Sequence, residues 1–303
     1  MRLSSHTRAV LQALLVTFLW STSWVLIKHG LREIPALTFA GLRYMIAFAI
    51  LLPGLWRHRD EVRALGARQW MGLISLGVVF YTFTQGGQFL VLKYLEATTF
   101  SLLLSFTPVL VALLGAFTLK EIPPRLQWVG MAVFLTGAIL YFSPLSTVQG
   151  SALGFALAAM TLLANSASAL LGRSVNRAKT TSPIVVTGIS MGVGALCLFT
   201  IGVGTQGLPS LSLRGWGIVV WLAVVNTALA FTLWNRTLRV LSAVESSIIN
   251  NTMLIQIAVL AWLFLGETHG ILSILGLLLA AVGAILAQLR RQQSMQRAPS
   301  LDR

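Results

Sequence analysis

Hydrogen-bonding side chains recur inside long apolar runs of this 303-residue chain, and almost all of them are uncharged. Trp20, Ser21, Thr22, Ser23 and Trp24 form one cluster, with the two indoles one helical turn apart on the same face. Tyr81, Gln85 and Gln88 are spaced to line one stripe of a helix. Ser101 and Ser105 stand just before Pro108, and further runs carry Asn165, Ser166 and Ser168, then Asn226, Thr227 and Asn235, then Ser247, Asn250 and Asn251. Hydroxyl, amide and indole groups of this kind can hold a solute but supply no strong acid, base or nucleophile. In hydrocarbon each needs a partner on another helix or a wet cavity. A single Ser or Thr is more often interhelical glue than a ligand contact. The bulkier amides of Gln85, Asn165, Asn250 and Asn251 suit packing and site lining equally, and Trp20 and Trp24 sit away from the interfacial belt where tryptophan collects, which favours a cavity.

Bond-breaking chemistry has little to work with. There is no HExxH or GxSxG motif, and the four histidines, His6, His29, His58 and His269, fall at the N-terminus or in expected loops, where a solvated surface is the default. Cys197 is single, so neither a disulfide nor a cysteine metal site is available. The expectation is no enzyme, no metal and no cofactor. Of the eight acidic residues, Glu33, Asp60, Glu61, Glu121, Glu267 and Asp302 fall in loops or at helix ends, and Glu96 and Glu245 at the edges of segments. A proton relay needs a titrating group at membrane depth. None is expected here, so facilitated exchange or export is the simpler mechanism. Arg43 is the one basic residue well inside an apolar segment. It would contact either carbonyls of neighbouring helices or the solute, and in the second case it would favour a carboxylate or other anion.

The elements that must position these groups follow from composition. With 56% hydrophobic and 10% charged residues, the chain is far more apolar than a soluble domain. A bilayer core of about 30 Å needs about 20 apolar residues per helix. Ten segments meet that need, over 9–27, 35–55, 70–91, 98–118, 126–142, 151–171, 183–204, 215–235, 244–264 and 271–289. Seventeen of the 22 Lys and Arg residues fall on the side holding both termini, four (Lys28, Arg32, Lys93 and Arg214) on the other, and Arg43 between. The positive-inside rule then puts both termini in the cytoplasm. The net charge of +14 is spread over short loops and matches no nucleic-acid module, so no nucleic-acid partner is expected. The partners are a small-molecule substrate and the lipid bilayer.

The chain also repeats itself. Arg68–Leu140 aligns without a gap on Arg214–Leu286 at an offset of 146, pairing Trp70 with Trp216, Ser101 with Ser247, Ser105 with Asn251, Glu121 with Glu267, and Gly130 and Gly137 with Gly276 and Gly283. Five spans per copy force the second copy into the membrane upside down, a pattern of transporters that alternate access around a midplane site. The expected fold is an all-α membrane protein of ten transmembrane helices in two inverted five-helix repeats, with the first repeat over 1–146, the second over 147–290 and a cytoplasmic tail over 291–303. Helices five and ten, almost wholly apolar with facing glycines, suit a scaffold or a homodimer contact.

With these residues in view, the chain resembles the EamA-type branch of the drug/metabolite transporter superfamily over essentially its full length. The resemblance rests on Leu19-Trp20-Ser21-Thr22-Ser23, Pro35, Phe39-Ala40-Gly41-Leu42-Arg43, the run from Asn226 to Arg236, and Leu265-Gly266-Glu267. It implies ten helices in two inverted repeats, a central cavity formed mainly by helices one, three, four, six, eight and nine, an inner-membrane location, and export of amino acids or related small metabolites. The chain departs from the family at Leu254, where a proline is frequent, and in the polar Asn250-Asn251 pair. The expected substrate contacts are Trp20, Ser21, Trp24, Tyr81, Gln85, Ser101, Ser105, Asn165, Thr227, Ser247, Asn250 and Asn251. A drug carrier or a nucleotide-sugar-like antiporter is the alternative, and a membrane-embedded enzyme a remote one.

Overall fold

A computed structural model describes residues 4–95, 97–141, 143, 151–253, 255–257, 259–260 and 270–289. The architecture is all-α. We number its helices α1 (Ser5–Gly30), α2 (Ala36–Arg57), α3 (Ala67–Leu76 continued by Gly77–Gly86 and Gly87–Tyr94), α4 (Ala97–Leu104 and Thr107–Thr118) and α5 (Arg125–Tyr141). There follow α6 (Ala152–Arg177), α7 (Pro183–Gln206), α8 (Leu213–Ala223, Val224–Leu229 and Ala230–Thr237), α9 (Ala243–Asn251) and α10 (Ile271–Leu289). A short helix, Arg59–Arg63, links α2 to α3. Among the described residues, four helices are long and apolar enough to cross a membrane: Ala36–Arg57, Ala152–Arg177, Pro183–Gln206 and Leu213–Thr237. Leu102–Thr118, Arg125–Tyr141 and Ile271–Ala287 are shorter apolar helices.

Local chemistry sets the helix ends. Ser4, Ser151, Ser212 and Ser242 accept a hydrogen bond from the first-turn amides of Thr7, Gly154, Gly215 and Glu245, so each start is capped by a side chain. Ser242 and Glu245 complete a reciprocal capping box at α9. Pro183 opens α7, where its missing N–H costs nothing, and Gly207 closes that helix at φ 75°, a left-handed conformation that suits glycine.

Two helices change pitch at matching places. The middle of α3, Gly77–Gly86, is π-helical, and so is Val224–Leu229 in α8, which begins 146 residues after Val78. In each, a threonine hydroxyl donates to a carbonyl five residues back: Thr84 Oγ1 to Val79 O at 3.0 Å, and Thr227 Oγ1 to Leu222 O at 2.8 Å. A third interruption splits α4. Pro108 has no N–H to give Leu104 O, which instead accepts from Thr107 Oγ1 at 2.6 Å, while the Val109 amide turns to Phe106 O.

The most extensive helix–helix contact among the described residues joins α5 to α10. A Cβ added at Gly137 would stand 2.6 Å from Gly276 O, and one at Gly276 2.6 Å from Gly137 O. The pair Gly130 and Gly283 repeats this, each Cβ falling 2.7 Å from the other's carbonyl oxygen. Only hydrogen side chains let the two backbones approach so closely.

His6 corrects one expectation. It is buried inside the helix bundle, with Nε2 3.1 Å from Glu245 Oε1, and so ties the start of α1 to the start of α9. An imidazole in the first turn of a capped helix is turned inward by the helix face it occupies, which its position near the chain end did not disclose.

Candidate functional site

A cavity of about 200 Å³ lies between α1, α2, α3, α4, α6, α8 and α9. One wall is aromatic and centres on Phe231, whose ring lies 4.9 Å from Trp20 and 5.4 Å from both Phe80 and Tyr81, centroid to centroid. Trp234 and Tyr44 extend it, at 5.1 Å from Trp20 and 5.3 Å from Tyr81. Tilted and edge-on rings at these separations make a stiff apolar surface. The Trp20 indole is fixed in turn by donating Nε1–H to Asn226 O at 3.1 Å.

The other wall is polar and comes from α3, α4, α6 and α9. Asn251 Nδ2 donates to Ser105 O at 2.9 Å, at the break that precedes Pro108. Asn165 Nδ2 donates to Thr107 Oγ1 at 3.2 Å. By contrast, the amides of Gln85 and Asn250 border the cavity and make no side-chain hydrogen bond to another described residue. Ser247 Oγ is buried at the same wall without a partner. Buried polar groups are nearly always paired, so unpaired ones facing a cavity mark hydrogen-bonding capacity held in reserve.

Of the expected contacts, the fold brings together Trp20, Tyr81, Gln85, Ser105, Asn165, Ser247, Asn250 and Asn251. Ser21 and Thr227 do not line the cavity. Ser21 Oγ lies 2.8 Å from both Thr17 O and Gln256 Oε1, stitching α1 to the chain beyond α9, and Thr227 Oγ1 accepts from Arg43 Nε at 2.6 Å. The Trp24 and Ser101 side chains, Leu254, Glu96, Glu267 and the tail lie outside the described residues. Residues not on that list also line the space, among them Tyr44, Phe80, Phe231, Trp234 and Asn235. Asn235 had shown itself as an amide in an apolar run, but it is committed to packing, donating to Thr187 Oγ1 at 3.0 Å and accepting from Asn176 Nδ2 at 2.8 Å.

Leu76, Gly172 and Leu238 line the cavity together, a Cβ added at Gly172 falling 3.1 Å from Leu238 Cδ1 and 4.0 Å from Leu76 Cδ1. From Arg173, next to Gly172 in the chain, polar ties lace the helices: Arg173 donates to Glu121 Oε1 at 3.0 Å and to Leu238 O at 2.8 Å, Glu121 Oε2 accepts from the Ala243 amide at 3.2 Å, and His6 meets Glu245.

Known proteins agree with this architecture. An archaeal chain from Archaeoglobus fulgidus described as an "uncharacterized transporter" is 22% identical over 288 residues, which cover 92% of this chain and 96% of that one. An S-adenosylmethionine/S-adenosylhomocysteine transporter of Chlamydia trachomatis serovar L2 is 24% identical over 300 residues, covering 94% and 90%. A solved crystal structure shares the fold, with a TM-score of 0.76 at 20% identity over 95% of this chain and 99% of that one. The pattern of the EamA-like transporter family matches twice, over residues 7–143 and 152–289. The chain belongs to the EamA-like transporter family, and it is a multi-pass membrane transporter of small molecules, not an enzyme.

Proposed function

We propose that this transporter exports small amphipathic metabolites, amino acids foremost, by alternating access through the cavity described above. One observation carries the reading: aromatic rings and uncommitted uncharged donors and acceptors, Gln85, Asn250 and Ser247, line one space of about 200 Å³. Trp20 and Tyr81 would contact the apolar part of a solute, and Gln85, Ser105, Asn165, Asn250 and Asn251 the polar part. The volume falls below the roughly 300–1,000 Å³ of pockets for drug-sized ligands, which suits an amino acid better than a nucleotide-linked sugar.

The proposal includes ten spans in two inverted five-helix repeats, 1–146 and 147–290, with both termini and the tail in the cytoplasm. It is supported by the sequence offset of 146 and by the π-helical stretches that respect it. On that orientation the ties of Arg173, Glu121, His6 and Glu245 would close the cytoplasmic side and would have to part for export. A homodimer through α5 and α10 would meet on their outer faces, at Leu275, Leu278 and Ile285, because the glycine faces are occupied by each other. No described carboxylate borders the cavity, which favours exchange without a proton relay.

A second reading follows from the Chlamydia relative. An adenosyl amino acid also joins a flat apolar ring to a zwitterion, and the rings around Phe231 could stack a purine.

Counterflow with the purified protein in liposomes, using pooled labelled amino acids and no ion gradient, tests the first reading. Saturable exchange of one amino-acid class is the expected result. No amino-acid exchange, with S-adenosylmethionine exchanging instead, would establish the second. Uphill uptake driven by a proton gradient would overturn the uncoupled mechanism.

A further inference from the structure

Arg43 sits about 10 Å along α2 from its start, with 5% of its surface exposed. It borders the cavity beside Tyr44, its guanidinium carbon 5.4 Å from that ring's centroid. Two of its N–H groups are committed, Nε to Thr227 Oγ1 at 2.6 Å and Nη2 to Asn226 O at 3.3 Å. Both acceptors belong to the π-helical stretch of α8, and both are neutral. Nη1 has no partner among the described residues.

No described acid neutralises this charge. Glu33 accepts from Ser212, Asp60 lies by Arg59 and Arg63, Glu61 accepts from the Ser182 amide, Glu121 binds Arg173, and Glu245 binds His6. A guanidinium buried without a counter-ion is strongly disfavoured, and burying one in a fixed pose with a free nitrogen at a cavity wall prepares it for an incoming anion. Its planar fork matches a carboxylate. A purely structural arginine tying α2 to α8 would have needed no free nitrogen at the cavity.

We infer that Arg43 is the specificity-determining anchor for a carboxylate of the transported solute, received at Nη1 while Thr227 and Asn226 hold the guanidinium in place. The inference deepens the export reading and rests on it only in taking the cavity as the solute site. It restricts the substrate class to molecules bearing a carboxylate next to an apolar body, and it excludes amines and amides of the same shape.

The test uses the full-length protein in detergent and reads thermal stabilisation, which needs no transport. The probes are 3-phenylpropionate and L-phenylalanine against 3-phenylpropanamide. The acids are expected to stabilise saturably at concentrations about ten-fold or more below the amide, the size of preference that a charge-assisted hydrogen bond supports. In Arg43→Gln that preference should fall below about two-fold, and in Arg43→Lys, which keeps the charge but not the fork, it should be partly retained. If Arg43→Gln does not fold, the Lys variant and Thr227→Val, which loosens the guanidinium, carry the test through a weakened preference. Equal binding of acid and amide, an unchanged preference in the variants, or no binding of either acid would overturn the inference. Counterflow separates this failure from that of export: phenethylamine exchanging as fast as phenylalanine would remove the anchor and leave the carrier standing.

Discussion

The pairs α5 with α10 and α4 with α9 hold residues related by the same offset of 146, yet they meet in opposite ways. In the first pair, Gly130, Gly137, Gly276 and Gly283 bring backbone against backbone. In the second, Asn251 reaches the Ser105 carbonyl across a broken helix at the edge of the cavity. The difference lies in what fills the junction. Small residues on unbroken helices give a dry contact that resists movement, whereas a proline break and an amide give a junction with polar capacity left over. A duplicated chain can therefore build its frame and its site from equivalent helices by changing a few side chains.

Variants at the frame should have the largest effect. Gly276→Leu would force α10 off α5, and since overpacking a core costs about 1–3 kcal/mol even against yielding side chains, a clash with backbone should cost more. The expected outcome is loss of monodisperse protein after solubilisation, and a well-folded variant with wild-type melting temperature would erase the contrast between the pairs. Asn251→Ala comes next. It should lower exchange in liposomes about ten-fold, as for loss of one buried hydrogen bond partner, with unchanged membrane abundance; parallel losses of both would make the α4–α9 junction a frame as well.

Trp20→Phe keeps a ring against Phe231 and removes the hydrogen bond to Asn226 O. A net hydrogen bond of about 1 kcal/mol predicts a several-fold weaker half-saturating solute concentration with maximal exchange retained. Thr17→Val should do least to transport. Thr17 Oγ1 accepts from Gln256 Nε2 at 3.1 Å, away from the cavity, so the variant should lower stability by about 1 kcal/mol and leave exchange within about two-fold.

Much of this was legible in the residue pattern. The offset related Ser105 to Asn251 before any contact was seen, and the two prove to touch. The amides of Gln85, Asn165 and Asn250 announced themselves because an amide in an apolar run must go somewhere. What stayed hidden follows from pitch. On an uninterrupted α-helix Thr227, Phe231 and Trp234 share one face, but the wider π turn before Ala230 rotates the downstream residues. Phe231 and Trp234 therefore face the cavity, while Thr227 turns to Arg43. Hydrophobic periodicity assumes constant pitch and cannot register that rotation. Nor could sequence alone find the burial of His6, which depends on Glu245, 239 residues away.

The bond between Asn251 and Ser105 has a further consequence. Two identical subunits about a twofold axis must present the same residue from each side, so a site on their axis reads a solute and the same solute turned by 180° alike. A single chain is released from that rule. On the proposed inverted-repeat arrangement, asparagine on one side and serine on the other would make the pseudo-axis directional, so that a chiral solute resting there would take one pose out of the two that perfect symmetry would make equal.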